Sequence, residues 1–241
     1  MRTAVVANDF HGIFRDKKTC KLLFDFIKRQ KPDEIILAGD VIDFYSISKF
    51  LKDPRRKWDV QKEVDDAYTI LVDLKRSAPR AKIHYIEGNH ETRLQKFLWG
   101  KSPALTTIRN LQFEKLMELD KLKVKYHTAK KGYQFGDLFI YHGSLVRAKG
   151  GYTARGELEK NGCSGMSGHS HRDGKAPSRK RGGQLCWWEN FCLCDLDAEY
   201  IDGIADWSQG WSKVTLVGKR PHVEPIFVAN HSYIYGGKIW K

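Results

Sequence analysis

The chain has 241 residues, 41% of them hydrophobic and 12% aromatic, which is enough to bury one sizeable core. No stretch approaches the eighteen or so continuous apolar residues of a membrane span, and the opening "MRTAVVANDF" is too short an apolar run for a secretory signal. A formal net charge of +13 favours anionic partners such as nucleic acid, nucleotides or phosphorylated substrates. The expected location is the cytoplasm, with no membrane partner.

The predicted elements run in chain order as follows. Residues 2–7, "RTAVVA", read as a short buried strand. Residues 16–30 carry Cys20, Leu23, Phe24 and Ile27 at helical spacing. "DEIILAGD" and "AKIHYIEGNH" are two further apolar runs that read as strands. Between them lies a helix, with Asp59 as N-cap and Ala78-Pro79 as its close. Another helix is expected from Ser102-Pro103 toward Leu119, because proline suits the first helical turn. After Lys121 the texture changes to short strands: "VKYH", "YQFGDLFIYHG", "CSGMSGHSH", "QLCWWENFCLCDL", "WSKVTLVG", "VEPIFVAN" and "SYIYGG". The fold class is therefore α/β, two packed mixed sheets flanked by helices, formed as one domain over 1–241.

The basic residues are densest in "KDPRRKW" (52–58) and "GKAPSRKRGG" (174–183), which suit either a solvated surface or a phosphate-guiding one. The five cysteines show no disulfide framework, and reduced thiols fit best. Cys192 and Cys194 form C-x-C, but no second paired motif completes a thiolate zinc site.

Five apolar runs end in polar residues beside or near a glycine: Asn8-Asp9-Phe10-His11, Gly39-Asp40, Gly88-Asn89-His90-Glu91, His142-Gly143 and Gly168-His169-Ser170-His171. Ligands of open α/β sheets gather outside the carboxyl ends of strands. Burying so many carboxylates and imidazoles without a cation is costly. Apart from Asn8, His90 and Glu91 the set holds two carboxylates, one amide and four imidazoles, the inventory of a two-metal centre with mixed oxygen and nitrogen ligands. The imidazoles favour Mn, Fe, Co, Ni or Zn over an all-oxygen magnesium site.

The order D-x-H, G-D-x-x-D, G-N-H-[DE], H, G-H-x-H resembles the calcineurin-like metallophosphoesterases, most of all the small phage and bacterial phosphoesterases. It stands here as Asp9 and His11, Asp40 and Asp43, Asn89 to Glu91, His142, and His169 and His171, spanning residues 9–171. The resemblance implies one metal on Asp9, His11, Asp40 and His171, and another on Asp40, Asn89, His142 and His169, with Asp40 bridging. It implies two divalent ions, Mn foremost, and a metal-bridging hydroxide as nucleophile. His90 matches the family's non-ligand histidine, a stabiliser of transition-state charge or an acid for the leaving oxygen. Asp43 and Glu91 would orient their neighbours.

The protein phosphatases of this superfamily carry an arginine after the last Asp of the second block. Here Phe44 stands in that place. Arg93, Arg147 and Arg172, with Arg155, are the candidate phosphate contacts. Trp187, Trp188 and Tyr152 are candidates for stacking on a base, although aromatics in strands usually serve the core. The expected function is a phosphodiesterase or nuclease acting on a phosphoester partner. The alternatives are a phosphomonoesterase and, less favoured, a non-catalytic scaffold.

Overall fold

The computed structural model describes residues 1–52, 55, 59–181, 183–198 and 203–241, apart from the Lys180 side chain. Thirteen strands and five α-helices occur among the described residues, alternating in the first half and mostly strand in the second. In order they are β1 (Arg2–Ala7), α1 (Lys17–Gln30), β2 (Glu34–Leu37), α2 (Val60–Ser77), β3 (Lys82–Ile86), α3 (Thr92–Lys101), α4 (Phe113–Leu116), β4 (Val124–His127), β5 (Tyr133–Phe135) and β6 (Leu138–Tyr141). There follow α5 (Tyr152–Asn161), β7 (Gly165–Ser167), β8 (Asp173–Lys180), β9 (Gly183–Asn190), β10 (Gln209–Val217), β11 (Arg220–Val228), β12 (Tyr233–Tyr235) and β13 (Lys238–Trp240).

One sheet has the order β11-β10-β1-β2-β3-β4 and the other β5-β6-β7-β9-β8; β12 and β13 pair separately. β1 to β4 are mutually parallel, as are β6, β7 and β9. β10 and β11 extend one side of the first sheet antiparallel, and β5 and β8 form the antiparallel edges of the second. The layers follow from the period of two along each strand. Val5 and Ala7 of β1, with Ile35 and Leu37 of β2, face a core shared with Leu23, Phe26 and Ile27 of α1 and Leu71 and Leu74 of α2. Ala4, Val6 and Ile36 face the other way, onto Phe135, Ile140 and Met166 of the second sheet. Ala154 and Leu158 of α5 cover the far side of that sheet against Trp187. The two-sheet α/β class therefore holds.

The N-cap of α2 agrees with the sequence, whereas Ser102 makes no side-chain cap bond. Asp59 accepts from Gln61 N and Lys62 N, and α2 stops at Ser77. Three departures are physical. The expected helix from Ser102 to Leu119 is instead two 3-10 segments, Pro103–Thr107 and Arg109–Leu111, and the single turn α4. Thr106 and Thr107 turn their hydroxyls back onto the Pro103 and Ala104 carbonyls. Leu105 and Ile108 are exposed, so no apolar face holds a long helix there. Second, the strand-rich half contains α5, whose buried positions include Thr153 and Glu157 and so blur its apolar period. Third, residues 174–180 of the basic run 174–183 form nearly all of β8, where charge protects an edge strand. Most of the basic run 52–58 (residues 53, 54 and 56–58) lies outside the described residues.

Candidate metal centre

Parallel pairing brings the carboxyl ends of β1, β2 and β3 to one edge of the first sheet, and those of β6 and β7 to the second. The chain then bends sharply. Asp9, His11, Asp40, His169 and His171 all have φ between 52° and 69°, in the left-handed region uncommon for non-glycine residues. Such strain concentrates at functional sites. Two glycines make room. A Cβ on Gly39 would stand 2.5 Å from His142 Nδ1, and one on Gly88 would collide with Asp40 Oδ1.

These turns gather the polar side chains. Ligand atoms of Asp9, His11 and His171 lie within 4.8 Å of one another, and so do those of Asp40, His142 and His169. Asp40 also lies within that limit of His11 and His90. Asn89 Oδ1 is 2.9 Å from His142 Nε2, and Asp40 Oδ2 is 3.2 Å from the same nitrogen. The structure thus brings all seven expected ligands into two adjoining clusters.

The ring orientations show what the clusters are built to hold. His142 Nδ1 is 2.9 Å from the Ala38 carbonyl, which accepts its proton and leaves Nε2 facing two oxygens. His11 Nδ1 is 2.9 Å from Asp43 Oδ2, and its Nε2 stands 3.0 Å from His171 Nε2. Asp9 Oδ1 is buried with no hydrogen-bond partner among the described residues, 3.3 Å from His171 Nε2 and 3.8 Å from His11 Nε2. Converging acceptors around an orphaned carboxylate oxygen fit a cation.

A sequence model described as calcineurin-like phosphoesterase matches residues 2–241. The chain belongs to that family. Membership carries metal-dependent phosphoester hydrolysis with it. The chain is similar to the Gene 54 protein of Mycobacterium phage L5, 25% identical over 252 residues and covering 98% of each. The Gene 54 protein of Mycobacterium phage D29 is 26% identical over 255 residues, again covering 98% of each. Among solved structures, a Vps29 from Entamoeba histolytica covers 99% of this chain and 96% of its own, at TM-score 0.49 and 11% identity.

The electrostatics of this phosphoesterase fit its turns. Burial works against the charged form of Asp40, yet His142 and His90 outweigh it and hold the carboxyl well below its usual range. His142 is likewise penalised by burial, but Asp40 lifts it to about 10. Burial holds His11 below its ordinary value, reinforced by His90. Asp40 and His142 thus each favour the other's charged form, and the buried carboxylates call for positive charge at this place.

His90 sits at the rim, with Nδ1 3.0 Å from Asp43 Oδ2 and Nε2 3.6 Å from Asp40 Oδ2. Burial disfavours its imidazolium, but Asp40 and Asp43 raise its pKa against the pull of Arg93. Asp43 is the organiser: it also accepts from Arg93 Nη1 at 2.8 Å. Glu91 binds the backbone instead, accepting from Asp40 N, Val41 N and Gly88 N and from the Tyr85 hydroxyl.

The arginines divide. Arg93 reaches the site, with Nη2 2.9 Å from His90 Nε2. Arg172 is turned to Asp206 and to the Arg147 carbonyl. Arg155 donates to the Pro177 carbonyl. Arg147, exposed in its loop, donates its backbone N–H to Thr153 Oγ1. Phe44, in the phosphatase arginine's place, is fully buried in the core. Trp187 is core as well, whereas Tyr152 is exposed.

Other residues at the site are not announced by the motifs. Asn8 Nδ2 donates to Asp9 Oδ2 and is itself held by Asn190. Cys192 and Cys194 place their sulfurs within 4.8 Å of a His171 ring nitrogen, so the C-x-C lies against the centre. Only "ND" next to the Asp9 block hinted at the first. The second depends on a contact across more than twenty residues.

Proposed function

We propose that this chain is a phosphodiesterase of nuclease type, working with two divalent ions, Mn foremost. Asp9, His11 and His171 hold one ion with Asp40; Asp40, Asn89, His142 and His169 hold the other. The observation that supports this most is the pair of adjoining donor clusters with Asp40 within reach of both. Bound there, two cations supply Lewis acidity and an activated water.

The chain's own residues do the rest. Asp43 and the Ala38 carbonyl fix the rings of His11 and His142, so each presents Nε2. The neutral Asn89 adds an oxygen without adding charge, which keeps the loaded centre cationic for an anionic ester. His90, its ring fixed by Asp43, would serve as the acid for the leaving oxygen once Arg93 Nη2 turns from its Nε2 to the ester. Arg93 faces the same rim, although Asp43 already occupies one of its nitrogens. The buried Phe44 in the phosphatase arginine's place favours a diester over a phosphoprotein.

Hydrolysis of bis-p-nitrophenyl phosphate, p-nitrophenyl phosphate and labelled single- and double-stranded DNA by the Mn-loaded protein tests this. Faster turnover of the diester is expected. Preference for the monoester, with no nucleic acid cleaved, would overturn it.

A further inference from the structure

A cavity of 440 Å³ opens directly beside Asn89 and His142. That is a size suited to one small-molecule unit. Lys96, Lys130 and Lys160 line it, from α3, the loop before β5, and α5 respectively. Three different elements thus place exposed lysines around one hollow at the edge of the metal centre. None of the three has a carboxylate at ion-pair distance among the described residues. Lys160 Nζ donates to Ser144 Oγ at 2.5 Å and stands near the Tyr141 ring.

The one acidic residue in the lining, Glu87, is already engaged. Its oxygens accept from the Tyr126 hydroxyl at 2.8 Å and from Ala129 N at 3.0 Å. The hollow is therefore cationic, and it adjoins the expected position of the scissile phosphate. Lysine ammonium groups are compact point charges on flexible stems, suited to phosphate contacts that carry no sequence information. An isolated diester such as bis-p-nitrophenyl phosphate has no second phosphate to place there. A polymeric one does.

We infer that this groove receives the phosphate adjoining the scissile one, so that the substrate is a nucleic acid strand. The inference rests on the diesterase reading above.

The test compares three proteins: the native chain, the groove variant K96A/K130A/K160A, and a charge-matched control, K18A/K28A/K62A, on exposed positions of α1 and α2. Fluorescence anisotropy with a labelled single-stranded oligonucleotide, on metal-free protein at several salt concentrations, gives binding without turnover. The groove variant should bind about tenfold more weakly than the control. Its slope of log affinity against log salt should be shallower by about 0.7, the value for one lost phosphate contact on a single strand. Equal binding by the groove and control variants would overturn the inference. With Mn loaded, the groove variant should raise KM for the oligonucleotide by far more than for bis-p-nitrophenyl phosphate. Equal losses on both substrates would also overturn it, while leaving the diesterase reading intact. If the native chain hydrolysed no diester, that reading would fall, and the anisotropy would still decide the groove.

Discussion

His11 Nε2 and His171 Nε2 face each other 3.0 Å apart, with Asp9 Oδ1 3.3 Å from the second. Two lone pairs at that distance need a proton or a cation between them. In the metal-free chain burial opposes the charge on His171, but Asp9 outweighs it and raises its pKa. Metal uptake must then displace protons. Calorimetric titration with Mn²⁺ in buffers of different ionisation enthalpy should give buffer-dependent heats and tighter binding as pH rises. Heats independent of buffer would contradict the assignment.

The turn at Gly88 sets the position of Asp40. A Cβ there would collide with Asp40 Oδ1 and approach Asp40 N to 2.6 Å. Overpacking of this kind typically costs about 1–3 kcal/mol, and here it falls on a proposed ligand. Gly88→Ala should weaken Mn binding roughly tenfold or more while its far-UV circular dichroism stays native. Unchanged Mn affinity would show that Asp40 is not held by this turn.

His90 lies close enough to His11 and Asp40 to be counted with them as a donor, yet its ring is committed to Asp43. His90→Gln should keep two ions and lower kcat for a diester by about 10²–10⁴-fold, the range of a lost general acid. Metal analysis alongside the kinetics separates the roles. Loss of an ion in this variant would make His90 a ligand.

His84 lies between the two sheets, away from the centre, at 4% exposure. Burial depresses its pKa to about 4, against the pull of Glu34. Below the unfolded value near 6.5, the unfolded chain takes up a proton that the folded chain refuses. Its contribution to stability is therefore complete above about pH 6.5 and is lost as pH falls toward 4. At pH 5 the loss is on the order of 2 kcal/mol. Urea unfolding of the native chain and His84→Gln at pH 7 and pH 5 should show a smaller drop for the variant. Equal drops would contradict this.

The centre was legible because its residues sit at strand ends. Each block couples a buried run, a sharp turn and a ligand type, and these are local features. Asp9, Asp40 and His142 could be placed from that pattern without knowing any contact. What connects the blocks was not legible. Arg172 follows His171 in sequence, yet its guanidinium turns to Asp206 and the Arg147 carbonyl. That choice depends on a loop whose path no motif marks. Cys194 meets His171 because β9 lies beside β7 in the second sheet, a pairing absent from local periodicity. The helices divide in the same way. α2 has a cap and a continuous apolar stripe, whereas α5 buries Glu157 to hold the backbone of Ser144 and Leu145.

The central claim is that Asp40 joins two metal sites. Metal analysis with electron paramagnetic resonance of the Mn-loaded native chain and Asp40→Asn tests it most directly. The native chain should bind two Mn²⁺ and show the signal of an exchange-coupled pair, with Asp40→Asn losing the coupling, much of the metal and diester hydrolysis while remaining folded. A single uncoupled Mn²⁺ in the native chain, or near-normal turnover by Asp40→Asn, would contradict the account.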